Sequence, residues 1–136
     1  MAIDSSIIGH SSAPQTFQVT KEAVQRFLEA AEDPALQSGQ PIEFAPPTFP
    51  TTFRVRVPSL ALDGNKMQLL HGEQAYSYSR RIRIGEEITC VSRVVDVRQR
   101  NGRSGSMTII VSELTGTDSE QQHVFTARGT SIVRVK

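Results

Sequence analysis

The pattern of apolar and polar positions divides the chain into a short helical part and a longer strand-rich part. Between residues 21 and 32 the apolar positions follow the i, i+3, i+4 and i+7 spacing of one helix face, namely Val24, Phe27, Leu28 and Ala31. Thr20 is the predicted N-cap of this helix, and Asp33-Pro34 ends it. A short strand is predicted just before the helix, at 16–19.

Alternating apolar and polar residues predict antiparallel strands in the second half of the chain. These strands are expected at 59–62, 67–70, 74–79 (with Tyr76 and Tyr78 on one face), 87–99, 106–114 and 122–135. The turn signals between them are Asp63-Gly64, Asn101-Gly102 and Asp118-Ser119. One face of the last strand is mostly small, which lets a helix or another backbone approach it closely (Phe125, Ala127, Gly129, Ser131, Val133 and Val135). We therefore expect an α+β fold in which a helix covers one face of a single curved antiparallel sheet.

Composition restricts the class of protein further. The 136 residues suit a single domain, 1–136, and a net charge of +1 excludes a polyanion binder driven by bulk charge. The single cysteine, Cys90, excludes an intrachain disulfide and fits packing in a strand better than catalysis. No apolar stretch approaches the roughly 18 residues of a membrane helix, and the first residues lack the basic region of a signal peptide. We expect a cytoplasmic protein without membrane contact.

Three segments carry a resemblance to a known family. They are Ala-Pro-Pro-Thr-Phe-Pro at 45–50, Leu-Leu-His-Gly-Glu-Gln at 69–74 and Arg-Ile-Arg-Ile-Gly-Glu-Glu-Ile at 81–88. Together they resemble the N-terminal type of MaoC-like dehydratase domain over nearly the whole chain, from about 9 to 135. This family has the hot-dog fold and is related to (R)-specific enoyl-CoA hydratases and 3-hydroxyacyl-thioester dehydratases.

The resemblance implies an antiparallel sheet wrapped around a central helix, with two sheets pairing edge to edge in a dimer. In this chain the central helix would start after Ala45 and be short, because Pro47 and Pro50 interrupt it, and Arg54–Val57 look strand-like. The resemblance also implies an acyl thioester of CoA or acyl carrier protein as substrate, with no cofactor. The partner would be a second copy or a MaoC-like subunit that carries the catalytic dyad.

The family's dyad is an Asp and a His five residues apart, in a Gly-Asp-x-Asn-Pro-[aliphatic]-His pattern. Asp33 matches the Asp, but Ser38 stands at the His position, so the dyad is incomplete. Asp33 is either a surviving catalytic carboxylate or a helix-ending Asp-Pro turn, and the missing partner favours the turn. An oxyanion donor on the central helix is also in doubt, because Pro47 has no N–H and Thr48 carries the next amide.

His71 is the remaining candidate for proton transfer, because histidine is the residue type whose side chain ordinarily gains or loses a proton near neutral pH. A spacing of two on a strand would put Glu73 on the same face, where it could orient the imidazole. Gln74 follows them as a candidate substrate contact. The alternative is a polar cluster that holds the dimer together, and we favour it slightly.

The other candidate site residues are assigned by position and residue type. Candidates for the acyl tunnel are Phe44, Phe49, Phe53, Tyr76 and Tyr78, with ordinary core packing as the alternative for each. Arg81 and Arg83 are candidates for the phosphates of CoA, within an arginine-rich stretch that is otherwise explained as a solvated strand face. The three histidines are too scattered for metal-ligand spacing, so no metal is expected.

The sequence therefore favours an acyl-thioester-binding, MaoC-like protein, a hydro-lyase if it is active at all. The broken dyad favours the non-catalytic or weakly active N-type half. One alternative is a hot-dog acyl-CoA thioesterase, although residues 46–57 contain none of the acidic residues that such an enzyme uses. Another is a non-enzymatic acyl-CoA binding module. RNA binding is disfavoured, since two Tyr and no Trp offer little base stacking.

Overall fold

A computed structural model of the protein describes residues 3–60, 66–103 and 105–135. Its main elements are β1 (Gln15–Gln18), α1 (Lys21–Ala30), β2 (Met67–Tyr78), β3 (Glu87–Gly102), β4 (Gly105–Thr117) and β5 (His123–Val135). The strands form one antiparallel sheet in the order β1-β3-β4-β5-β2. The predicted turn Asp63-Gly64 lies outside the described residues.

Helix α1 begins as predicted but ends two residues early. The hydroxyl of Thr20 accepts a hydrogen bond from the amide of Ala23 at 3.1 Å, which satisfies one of the free donors of the first turn. The helix ends because Glu32 adopts a left-handed φ of 53° and the amide of Asp33 bonds back to the carbonyl of Leu28. Ala31 is therefore exposed, and its predicted place on the apolar stripe is wrong.

The sheet differs from the predicted strands in three places. The segments predicted at 67–70 and 74–79 are a single strand, β2, because a β-bulge at Gly72 keeps the pairing with β5 going. The described part of the predicted strand at 59–62 lies instead in a 3₁₀ turn, Pro58–Leu60. Strand β4 runs on to Thr117. Tyr76 and Tyr78 share a face, as predicted, because they pair with Ala127 and Phe125.

The central segment after Ala45 forms a single 3₁₀ turn, Phe49–Thr52, and α1 is the only α-helix in the described part of the chain. Two prolines without N–H groups prevent a longer helix, as the sequence predicted. The hydroxyls of Thr51 and Thr52 bond back to carbonyls one turn earlier, at 2.9 Å each. Residues 54–57 are irregular rather than a strand, although they alternate between exposed and more buried side chains.

Two apolar clusters form the core. The larger one packs α1 and the 3₁₀ turn against the sheet, and its most buried members include Val24, Phe49, Ile88, Cys90 and Phe125. Burial raises the pKa of the Cys90 thiol to about 12, which agrees with a packing role. The smaller cluster covers the other end of the sheet with the N-terminal segment (Ile3, Ile7, Val57, Val94, Val97, Ile110 and Val133).

The two edges of the sheet differ in whether another segment of the chain covers them. The N-terminal segment covers the β3 edge through β1 and through backbone bonds from Gly9 and Ser12 to β3. His10 lies in this segment, and its Nδ1 is 2.9 Å from the Ser59 hydroxyl oxygen, within hydrogen-bond distance. At the other edge, no described segment pairs with the outer side of β2. None of the described helices has the length and hydropathy to cross a membrane.

Candidate functional site

The motif positions Asp33 and Ser38 are both engaged with the local backbone. One carboxylate oxygen of Asp33 accepts a hydrogen bond from the amide of Ala35 at 2.9 Å and so caps the 3₁₀ turn Pro34–Gln37. The hydroxyl of Ser38 donates to the carbonyl of Ala35 at 2.8 Å and accepts from the amide of Gln40 at 3.2 Å. This geometry supports the turn interpretation of Asp33.

A cavity of about 340 Å³ lies beside this turn. Phe44 and Arg81 form part of its wall, and the remaining apolar wall comes from α1 and the proline-rich segment (Leu28, Ala35, Pro41, Ile42, Pro46 and Pro47). Its polar groups are Asp33, Ser38, Gln40 and Glu43. The cavity is within the size range of small-molecule sites and combines apolar walls with a few polar groups, as such sites do.

Two arginine side chains lie over one aromatic ring at this cavity. The guanidinium carbon of Arg81 is 4.3 Å from the centroid of the Phe44 ring, and that of Arg83 is 5.6 Å from it. A short antiparallel contact brings them together: the Ala45 amide bonds to the Ile82 carbonyl at 2.9 Å, and Phe44 forms a bridge with Arg83. Both distances allow a cation–π attraction.

Arg80 holds the loop that carries these side chains. It makes two bonds to the Glu86 carboxylate, at 2.9 and 2.7 Å, and one to Asp118 at 3.2 Å. These bonds raise the pKa of Arg80, and the Arg80 guanidinium lowers the pKa of Glu86. The amide of Arg83 also donates to Glu86, at 2.6 Å. The sequence pointed to an arginine-rich stretch without separating this structural residue from its neighbours.

The predicted orientation of His71 by Glu73 is wrong. His71 pairs with Ser131 and Glu73 with Thr130, so the bulge at Gly72 places them on opposite faces of β2. Gln74, which pairs with Gly129, is the residue that shares the core-side face with His71. A Cβ on Gly129 would lie 2.9 Å from the Gln74 side-chain oxygen, so the glycine provides room for that amide. A glycine inside an alternating strand was the available signal for the bulge.

The two candidate catalytic residues, Asp33 and His71, lie in different elements of the fold. The Tyr78 hydroxyl donates to the carbonyl of Pro47 at 2.5 Å, so the end of β2 is tied to a residue of the cavity wall. His71 is seven residues earlier on β2, a distance of about 20 Å along a strand. Asp33 lines the cavity at the Tyr78 end, and His71 lies far from that end of the strand. No hydrogen bond or ion pair joins His71 to Asp33 in the described part of the chain, where the Asp33 carboxylate instead bonds to the Ala35 amide.

The predicted tunnel residues also separate into two groups. Phe44 lines the cavity, whereas Phe49 and Phe53 are 2% and 5% exposed and pack against each other at 5.5 Å in the core. Tyr76 and Tyr78 are half-buried, and burial raises the pKa of Tyr78 to about 12. Thr48 is exposed just before the 3₁₀ turn, and its amide bonds to no carbonyl among the described residues.

The described residues contain no group of three His, Cys, Asp or Glu side chains placed to hold a metal ion. His123, at the start of β5, bonds to the hydroxyls of Ser79 at 2.5 Å and Thr126 at 2.8 Å. His123 is exposed, and both of its ring nitrogens make hydrogen bonds.

Solved structures of low sequence identity share this arrangement of a curled sheet and one helix. The C-terminally truncated HadBC (3R-hydroxyacyl-ACP dehydratase) complex from Mycobacterium tuberculosis matches with a TM-score of 0.71 at 20% identity, covering 96% of this chain and 99% of that one. The (R)-hydratase from A. caviae involved in PHA biosynthesis matches with a TM-score of 0.62 at 15% identity, covering 95% and 98%. The fold is the hot-dog fold of the MaoC-like dehydratases and hydratases.

Sequence comparison gives the family. The chain belongs to the FAS1-like, dehydratase domain region family, whose model matches residues 6–127. It is also similar to a UPF0336 protein of Thermobifida fusca, with 30% identity over 151 aligned positions that cover 98% of this chain and 95% of that protein. The suspected membership of the MaoC-like dehydratases is confirmed.

Proposed function

We propose that this chain is the dyad-lacking subunit of a heteromeric (R)-3-hydroxyacyl-thioester dehydratase or enoyl-thioester hydratase. The main support for the proposal is that the Asp33 and Ser38 side chains both hydrogen-bond to the backbone of one turn, through Ala35. Hydration of an enoyl thioester needs a base for water and an acid for the α-carbon. Serine does not titrate near neutral pH, so a second subunit would supply the acid and base.

The free edge of β2 supports a partner of the same fold. Residues 68–75 are exposed on both faces of the sheet, and Leu69 and Leu70 each retain 45% of their accessible surface. An exposed edge strand of this length that presents two leucines can pair with a strand of another chain. A MaoC-like subunit that carries the dyad would continue the sheet across β2. The structurally similar HadBC (3R-hydroxyacyl-ACP dehydratase) complex provides the precedent.

This pairing gives His71 and Gln74 a role. Both lie on the core-side face of β2, beside the edge where the partner would add its strand. In that position they would contact the acyl thioester or the partner's catalytic groups. We propose CoA or acyl carrier protein as the carrier of the thioester. We propose no cofactor, because adding water across the double bond is not a redox reaction and needs only acid–base groups and donors to the thioester carbonyl.

The test is reconstitution with separately purified hot-dog subunits that carry the complete Asp–His motif. Crotonyl-CoA hydration is followed as loss of enoyl absorbance, with each subunit alone and with equimolar mixtures. The proposal expects a stable complex with a hydration rate well above the sum of the separate subunits. Complex formation is checked by light scattering. A chain that forms no complex with any such subunit, or that leaves the partner's rate unchanged, contradicts the proposal.

A further inference from the structure

The loop at 80–86 is a fixed platform for two exposed arginines. Arg80 and the Arg83 amide both bond to the Glu86 carboxylate, which closes the loop from each side. Ile82 is 1% exposed and anchors the middle of the loop in the core. Arg81 and Arg83 flank Ile82 and are exposed. Their backbone positions are therefore set before any ligand arrives, which reduces the entropy lost on binding.

The charges of these two arginines are not neutralised in the described part of the chain. Four nearby arginines, in or beside the sheet, each have a carboxylate within 4.0 Å (Arg80, Arg93, Arg98 and Arg128). By contrast, the Arg81 and Arg83 side chains contact the Phe44 ring and no carboxylate among the described residues. Two like charges over one ring repel each other, and an anion between them relieves that repulsion. Planar guanidinium groups bind phosphate oxygens in pairs.

The lining of the cavity beside Arg81 and Phe44 indicates which other chemical groups the ligand would have. Arg81 and Phe44 stand at its wall, while Asp33 and Glu43 also line it. These carboxylates repel a second anion but accept hydrogen bonds from N–H and O–H groups. The other walls are largely apolar. The suitable ligand has one phosphate, a flexible arm with amide and hydroxyl donors, and apolar methylene groups.

We propose that Arg81 and Arg83, stacked on Phe44, bind the phosphate of a phosphopantetheine arm whose amide-bearing part enters the cavity. This inference rests on the proposed function, since CoA and acyl carrier proteins both present their thioesters on such an arm. It adds a defined binding site to that function. The arm would enter near the Tyr78 end of β2, because Phe44 and Arg81 line the cavity together with Pro47, whose carbonyl accepts the Tyr78 hydrogen bond.

The test compares two ligands that differ only in the phosphate. Binding of 4′-phosphopantetheine, pantetheine and inorganic phosphate to the full chain is measured by calorimetry at low and moderate salt. A charge-assisted contact predicts that phosphopantetheine binds at least about tenfold more tightly than pantetheine, with a preference that weakens as salt rises. Equal affinity for the two arms overturns the proposal. Binding of inorganic phosphate as tight as that of the whole arm overturns the assignment of the cavity.

Matched variants locate the site. The double variant Arg81→Gln/Arg83→Gln removes two charges at the ring, and Arg100→Gln/Arg103→Gln removes two exposed arginines near the far hairpin. We expect the first to lose the tenfold preference and the second to keep it. Arg81→Lys/Arg83→Lys retains the charge but not the planar fork, and should keep part of the preference. Thermal unfolding checks that each variant is folded. A wild-type preference in the first variant overturns the proposal.

Binding of CoA and of holo acyl carrier protein then distinguishes the two sources of the arm. Tight binding of CoA alone identifies free thioesters, and tight binding of the holo carrier alone identifies a carrier protein. The failure of this inference is separate from that of the proposed function. A chain that activates a dyad-carrying subunit without any phosphate preference refutes only the arginine site. One that shows the preference but activates no partner refutes only the heteromeric dehydratase.

Discussion

The Asp33 carboxylate and the Ala35 amide are joined by a 2.9 Å hydrogen bond, which caps the turn that follows α1. In the MaoC-like motif, with which this segment shares only its Asp, the corresponding carboxylate belongs to the catalytic dyad. Here the neighbouring Ser38 also bonds within the turn. Asp33 and Ser38 thus stabilise this turn through hydrogen bonds to the backbone, a role that requires no proton transfer.

A capping role makes a specific prediction for Asp33 variants. Asp33→Ala should lower the free energy of unfolding by about 1 kcal/mol, whereas Asp33→Asn and Asp33→Ser should retain most of it, because these side chains also cap. Urea denaturation measures the difference, with the exposed Glu120→Ala as the control. If Asp33→Asn destabilises the protein as much as Asp33→Ala, the negative charge rather than the cap is what matters.

Two glycines of the sheet should respond differently to an added methyl group. A Cβ on Gly116 would lie 2.1 Å from the Phe125 ring, whereas a Cβ on Gly129 would lie 2.9 Å from the flexible end of Gln74. Gly116→Ala must displace a fully buried ring, so we expect a loss of about 1–3 kcal/mol. Gly129→Ala should cost clearly less, because Gln74 has room to move. Chemical denaturation of the two variants compares them directly, and equal losses would contradict the close packing described for Phe125.

The Arg80 network predicts a dependence of stability on pH. Arg80 lowers the pKa of Glu86 below its usual 4.5, and backbone amides with Arg80 lower the pKa of Asp118 below its usual 3.8. A carboxylate whose pKa is lowered by folding stabilises the fold above its unfolded pKa and loses that effect as pH falls through the folded value. Stability should therefore decline as the pH drops below about 4.5.

The control for this pH dependence is Arg80→Gln. The variant should be less stable than the wild type at neutral pH, and the difference should shrink as both carboxylates become protonated. Thermal unfolding between neutral pH and pH 3 records the two curves. A difference that stays constant over this range would show that Arg80 acts through packing rather than through its charge.

The free edge of β2 predicts which surface substitutions disturb assembly. Leu69→Lys/Leu70→Lys places two charges on the exposed edge strand and should abolish association through it, with little effect on the folding of one chain. Ile8→Lys changes a residue of similar exposure in the N-terminal segment and serves as the control. Light scattering reports the mass and circular dichroism the fold. Unchanged association in the double variant would place the interface elsewhere.

Local signals in the sequence predicted much of the fold. The stripe of Val24 and Leu28, the Thr20 cap and the alternation along β3, β4 and β5 are short-range patterns, and the structure confirms them. The long strand β2 was divided in two because the bulge at Gly72 breaks the alternation. The irregular course of residues 54–57 was missed because core contacts over long sequence distances, and not local propensity, bury Phe53 and Val57.

The candidate site was predictable only in part. The absence of a His five residues after Asp33 is visible in the sequence itself. The stacking of Arg81 and Arg83 on Phe44 was not, because it joins segments almost forty residues apart in the chain. His71 shares a face of β2 with Gln74 rather than with Glu73 because of one inserted residue in the strand. A single-residue shift of this kind reverses every later side chain.

The central claim is that this chain binds an acyl thioester without the means to hydrate it. The most direct test is to incubate the purified chain alone with crotonyl-CoA and to follow both enoyl absorbance and thermal stability. We predict no hydration above the rate without protein, together with a rise in the unfolding temperature caused by ligand binding. Hydration by the chain alone at an ordinary enzymatic rate, abolished by His71→Ala but retained in Glu120→Ala, would contradict the account and establish a self-sufficient hydratase.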